Sequence, residues 1–119
     1  MRDFSELEKI LGVTFKDADV LRQALVHRSY LNENPGFRLP HNERLEFLGD
    51  AVLELVVTEY LYQNYPNPEG ELTNWRAALV NAISLSVVAA RLGLEEYLYL
   101  SRGEAKDAGS KARQYILAN

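Results

Sequence analysis

The chain has 119 residues, enough for one domain with a single core that needs no covalent staples. It has no cysteine, which excludes a disulfide framework and a thiolate zinc site, and its two histidines, His27 and His41, are too few for a His-rich metal cluster. A net charge of −4 speaks against a stand-alone nucleic-acid binder, which is normally basic, but leaves room for a nuclease whose bound cation changes the local charge.

There is no unbroken apolar run long enough to span a bilayer, and the opening Met1-Arg2-Asp3-Phe4-Ser5-Glu6 has no signal-peptide core. A soluble cytoplasmic protein is expected, with no membrane partner and no organic cofactor. The pattern of residues from Phe4 to Leu11 predicts a short amphipathic helix closed by Gly12. A second helix follows over Ala18 to Val26, with Val20, Leu21, Ala24 and Leu25 as its buried face. His27 and Ser29 come next. No nucleophile elbow and no orienting acid in a matching motif accompany them, so they read as a polar helix cap or a backbone clamp. Asn32 to Pro40 contains Asn34-Pro35-Gly36 and Leu39-Pro40 and reads as a loop.

A long central helix is predicted from His41 to Asn64. It places Glu43, Glu46 and Asp50 at i, i+3 and i+7, within roughly 60° of arc. Leu45, Phe47, Leu48, Val52, Leu53, Leu55, Val56 and Val57 make the rest of the helix apolar, which predicts a buried rod with its acidic row lining a pocket. Carboxylates in one narrow row repel one another and take up protons unless a cation lies between them, and a hard divalent ion is the simplest one. A solvated face would carry the same row, and acidic residues in the first turns also suit the helix dipole, so spacing alone leaves both readings open. Gly49, costly inside a helix, suggests that a backbone or ligand comes close. Glu54 lies near the row and reads as a supporting or surface residue.

Tyr65-Pro66-Asn67-Pro68 breaks the rod. A further helix runs from Glu69 to Leu92 with a local kink at Asn81 and Ser84, and Gly93 ends it. Leu94 to Leu100 reads as a short helix burying Tyr97, Leu98 and Leu100; Ser101 to Lys111 reads as a loop; Ala112 to Asn119 begins a last helix. No segment alternates apolar and polar residues long enough for a strand, so the fold class is an all-α helical bundle.

The string Asn42-Glu43-Arg44-Leu45-Glu46-Phe47-Leu48-Gly49-Asp50-Ala51-Val52-Leu53 closely resembles the signature of the ribonuclease III endonuclease family. The likeness extends to Leu11-Gly12-Val13-Thr14-Phe15, Ala24 to Tyr30, Glu69-Gly70-Glu71-Leu72, Arg76 with Leu79-Val80, Gly93-Leu94, Gly103-Glu104 and Ile116-Leu117-Ala118-Asn119. The resemblance implies an all-helical, homodimeric, Mg²⁺-dependent enzyme, with Mn²⁺ able to substitute, that cuts double-stranded RNA. It leaves 5′-phosphates and short 3′ overhangs and serves rRNA and precursor-RNA processing. By position, Asp50 is the implied catalytic acid and Glu46, Asp50 and Asn119 the implied metal ligands. Glu43 matches an acid nearer the RNA, and Glu69 an accessory acid toward the subunit interface. Phe47 matches an aromatic that plugs a socket on the partner.

Two departures stand out. Asn119 occupies a position where the family commonly has Asp, so it offers an amide oxygen without charge. A further essential Glu, one turn on, and the family's basic double-stranded-RNA-binding domain fall beyond residue 119. The expectation is therefore a catalytic domain, residues 1–119, truncated at its C-terminal end, or else a non-catalytic dimerising or RNA-binding scaffold of the same fold. A pyrophosphohydrolase with an acidic helix, faintly echoed by Arg44-Leu45-Glu46, would need a mixed α/β fold.

Overall fold

The computed structural model describes residues 2–119. Among them eight α-helices follow in order: α1 Ser5–Leu11, α2 Ala18–Ala24, α3 Arg28–Glu33, α4 Glu43–Asn64, α5 Glu69–Leu79, α6 Ala82–Arg91, α7 Arg102–Lys106 and α8 Lys111–Ala118. A 3₁₀ turn, Leu94–Tyr97, separates α6 from α7. The described residues form no strand, only an isolated parallel bridge between Val26 and Tyr99. The all-α expectation holds, and the mixed α/β alternative falls.

Glycines with positive φ close two helices where the sequence placed their ends. Gly12, at φ 74°, donates its N–H to the carbonyls of Glu8 and Lys9 after α1. Gly93, at φ 72°, follows α6 in the same left-handed conformation.

The core is built from Phe4, Leu7, Leu21, Leu25, Val26 and Tyr99, with Tyr30 and Phe37 packed against it. Tyr30, Phe37 and Tyr99 stack pairwise with ring centroids 5.2–5.4 Å apart. In α2 the buried face is Leu21 and Leu25 alone, since Val20 and Ala24 are exposed. The predicted helix over 94–100 stops at Tyr97. Leu98 to Leu100 instead run extended beside residues 25–27, where the Tyr99 N–H donates to the Leu25 carbonyl at 2.9 Å and the His27 N–H to the Tyr99 carbonyl at 3.0 Å. Extended backbone alternates its side chains, so Tyr99 is buried while Leu98 and Leu100 are only partly covered.

The kink anticipated at Asn81 is a full break. The Asn81 side chain accepts from the Ser84 N–H at 2.9 Å, capping α6, and donates to the carbonyls of Ala77 and Ala78, closing α5. Such local side-chain bonds compete with helix continuation. The 101–111 loop holds the short helix α7, capped by Ser101.

The largest correction concerns α4. Of its residues only Leu61 is buried; Leu45, Leu53 and Val57 are half-buried, and Phe47, Leu48, Val52, Leu55 and Val56 are exposed. Helix α5 packs along α4 only in part, through the Tyr65–Trp75 edge contact at 5.1 Å and Arg76, whose Nη1 donates to Thr58 Oγ1 at 2.9 Å. One chain has too few elements to cover a rod apolar nearly all round.

Helix α8 is fixed by a buried cation. The Arg113 side chain is 7% exposed; it pairs with Glu95 at 2.9 Å and donates to the Glu104 carbonyl. Removing it leaves the Glu104 carbonyl without its donor and opens a cavity. Arg113→Ala should lower the unfolding free energy by about 2–4 kcal/mol. Glu95→Gln keeps an amide oxygen for the guanidinium but removes the counter-charge of a buried cation, so it should cost less than the truncation, about 1–2 kcal/mol. Urea titrations of both variants check the ordering.

Candidate active site

The site begins where α4 starts. Asn42 precedes the helix, but its side chain does not cap it. The Asn42 N–H donates to the Val26 carbonyl and its Nδ2 to the Ala24 carbonyl, each at 2.9 Å. These two bonds stitch the acidic end of α4 to the segment 24–27, which the Tyr99 bridge already holds to the core. Sequence reasoning missed Asn42, which fell inside the helix predicted from His41 and so carried no signal of a tertiary bond.

Glu46 is half-buried and lines a cavity of about 220 Å³ with Ala24, Asn42, Leu45, Gly49, Leu53 and Asn119. Asn119 reaches it from the end of α8, whose first turn Ser110 caps and whose buried face Arg113 anchors. The chain thus brings Glu46 and Asn119, far apart in sequence, to one pocket. Asp50 lies one turn further along α4 and is exposed, as is Glu43. The row is therefore only partly sheltered, contrary to the expectation of a fully pocketed one. Partial burial, then the Asp50 charge, then the Glu43 charge raise the Glu46 carboxyl above the usual carboxylate range.

Gly49 lies on the same lining, and a Cβ there would meet nothing within 4 Å. No backbone of this chain approaches it, so the close neighbour suggested by the sequence is absent from the described residues. The small side chain simply leaves the pocket mouth open.

Glu43 is engaged by Arg28 at 3.2 Å and by His41 Nε2 at 3.5 Å. Glu54 sits on the surface, 3.4 Å from Arg76. Glu69 lies elsewhere: it lines a second cavity of about 460 Å³ between α4 and α5 with Leu61, Tyr62 and Arg76. Residue 61 is about 22 Å along α4 from residue 46, so within one chain Glu69 does not join the acidic row. Phe47 is 83% exposed and touches no core.

His27 and Ser29 form a clamp. His27 precedes α3, and its Nδ1 accepts from the Ser29 N–H at 3.2 Å while lying 2.7 Å from Ser29 Oγ. Ser29 Oγ in turn accepts from the Ser101 N–H at 3.0 Å. Burial holds the imidazole below its ordinary pKa, so it serves as a neutral acceptor. The hydroxyl is spent on structure, in keeping with the reading as a cap or clamp.

Among the described residues, no three His, Asp or Glu side chains gather closely enough to hold a metal by themselves. The Glu46 carboxylate and the Asn119 amide line the pocket, while the exposed Asp50 lies one turn on and outside that lining. Mg²⁺ is commonly held by one or two carboxylates and completes its shell with water and substrate phosphate. Burial first, then the Asp50 and Glu43 charges, disfavour an unpaired Glu46 carboxylate, which suits such an ion.

A family model described as Ribonuclease-III-like matches residues 17–119. The chain is 48% identical to Ribonuclease 3 of Chloroflexus aurantiacus over 118 residues, covering 97% of this chain and 48% of that protein. It is 45% identical to Ribonuclease 3 of Enterococcus faecalis, covering 97% of this chain and 50% of that one. The chain thus spans about half the length of the curated relatives it matches. Among solved structures, a nuclease domain of ribonuclease III from Campylobacter jejuni superposes with a TM-score of 0.84 at 41% identity, covering 99% of this chain and 76% of that one. A second structure of that domain, described for flexibility in a region involved in dimer formation, gives a TM-score of 0.82 at 38% identity, covering 98% of this chain and 79% of that one. With the acidic signature on α4, the helical fold and the matched family model all in agreement, this chain belongs to the ribonuclease III-like family.

Proposed function

We propose that this chain is the catalytic domain of a metal-dependent endoribonuclease that hydrolyses phosphodiester bonds of double-stranded RNA and leaves 5′-phosphate ends. The observation that carries the reading is the pocket joining Glu46 to Asn119, with Asp50 close enough to raise the Glu46 carboxyl. Glu46 and Asp50 would hold the ion, and Asn119 would add an uncharged amide oxygen. When bound, Mg²⁺ or Mn²⁺ supplies activation of water near neutral pH and charge neutralisation at the leaving oxygen. Glu43 keeps Arg28 and His41 at the pocket rim. No side-chain nucleophile is required, in keeping with the clamp role of Ser29. A duplex of A-form geometry would be recognised by shape, through phosphates and 2′-hydroxyls. The bare face of α4 supports a homodimer, and the absence of any helix long and apolar enough to cross a membrane among the described residues is compatible with a cytoplasmic setting for rRNA and precursor-RNA processing.

Asn119 favours a second reading, a scaffold of the same fold that binds RNA without cutting it, because the site lacks a third carboxylate. Incubation with duplex RNA and Mg²⁺ decides between them. Cleavage that EDTA blocks, with 5′-phosphate products, is the expected outcome. Intact RNA together with no calorimetric heat for millimolar Mg²⁺ would favour the scaffold.

A further inference from the structure

The pocket accounts for Glu46 and Asn119 but not for Arg28 and His41, which converge on Glu43 one turn before it. Arg28 opens α3, and its backbone is steadied by the clamp of His27, Ser29 and Ser101. Its guanidinium lies 3.2 Å from Glu43 and its side chain is 64% exposed. A guanidinium has five donors in a planar fork. Among the described residues its one ion-pair partner is Glu43, so most of that fork faces water. His41 grips the same carboxylate from the other side. Its Nδ1 accepts from the Glu43 N–H at 3.3 Å, which assigns the ring proton to Nε2, 3.5 Å from Glu43 Oε2. Glu43 is thus a bracket holding two donors one helical turn before Glu46.

Electrostatics calls for such a bracket. The chain carries a net charge of −4, and on the proposed reading a polyanion would have to approach its acidic row. A phosphodiester can come near only where local cations offset that row. We propose that Arg28 is a phosphate-contacting residue of the RNA-binding surface, receiving a backbone phosphate of the duplex beside the cleavage pocket, and that Glu43 and His41 are positioning residues that hold it there. The inference rests on the reading of this site as an RNA hydrolase and adds to it the group that meets the backbone. One guanidinium on one phosphate is sequence-independent, so it sets register and affinity and carries no base preference.

Binding of a short RNA duplex in EDTA, where no cleavage occurs, tests this across a range of KCl concentrations. Arg28→Ala should weaken binding about tenfold and lower the slope of log K against log salt by about one. Arg28→Lys keeps a point charge and should restore the slope. In Mg²⁺, Arg28→Ala should raise KM with kcat within about twofold, the pattern for lost uniform binding. The position is exposed, so the thermal midpoint and far-UV circular dichroism should match wild type. Wild-type binding with an unchanged slope in Arg28→Ala would overturn this inference alone. Failure of the wild-type chain to bind duplex RNA would overturn the hydrolase reading and this inference together.

Discussion

Asp50→Asn is expected to reduce RNA cleavage by about a thousandfold or more while leaving the fold intact. The substitution preserves shape and removes the charge of the carboxylate one turn beyond the Glu46 pocket, on the proposed reading one of the two that would hold the ion. The metal-free stability should move the other way. Burial and the charges of Asp50 and Glu43 raise the Glu46 carboxyl. An acid raised in the folded state contributes stability that is present below the ordinary carboxylate pKa and lost as pH climbs through the raised value. At neutral pH the wild-type row therefore works against folding, and deleting the Asp50 charge relieves it. In EDTA, Asp50→Asn should be at least as stable as wild type at pH 7, with the difference fading as pH falls through the carboxylate range. Adding Mg²⁺ should then stabilise wild type by mass action and leave the variant nearly unmoved. Urea titrations at two pH values, with and without Mg²⁺, check every sign. A variant that cleaves at wild-type rate would remove Asp50 from the chemistry.

Much of this site could be read from residues in order. The spacing of Glu43, Glu46 and Asp50 depends only on helical geometry, and a helix that long has no rival conformation. Gly12 and Gly93 mark helix ends because a left-handed turn favours glycine. What escaped was whatever depended on partners distant in sequence. Asn81 breaks a helix because its side chain serves both flanking segments at once, which periodicity does not encode. Tyr99 is buried because residues 25–27 offer it backbone bonds. Arg28 gained its role only when folding brought it to Glu43. Asn119 was noticed through its family position, yet its place beside Glu46 follows from the Arg113 anchor and the packing of α8. The burial expected for α4 failed for a different reason: hydrophobicity says that a face needs covering, not which chain covers it.

That bare face carries the second large expectation. Leu55→Glu should convert the protein from dimer to monomer at micromolar concentration, and Phe47→Ala should weaken the dimer by about a hundredfold or more. Phe47, Leu48, Leu55 and Tyr62 fall within roughly 100° of arc on α4, and they are 83%, 60%, 65% and 80% exposed. A monomer of this mass should show about 6,500 Å² of accessible surface, whereas this chain shows 8361 Å². The excess, about 1,800 Å², is the area that one partner buries in a large obligate interface. The shape agrees: a radius of gyration of 16.0 Å exceeds the roughly 13.5 Å of a compact chain of this length. A large aromatic anchor and a charge in the apolar centre are the two changes such an interface tolerates least. The acidic row runs along the edge of the stripe and should stay intact in Leu55→Glu, so a monomer that still binds Mg²⁺ but cuts poorly would tie catalysis to the pairing of two chains. Light scattering gives the masses directly, and a wild-type protein that is monomeric at micromolar concentration would leave this face without its second chain.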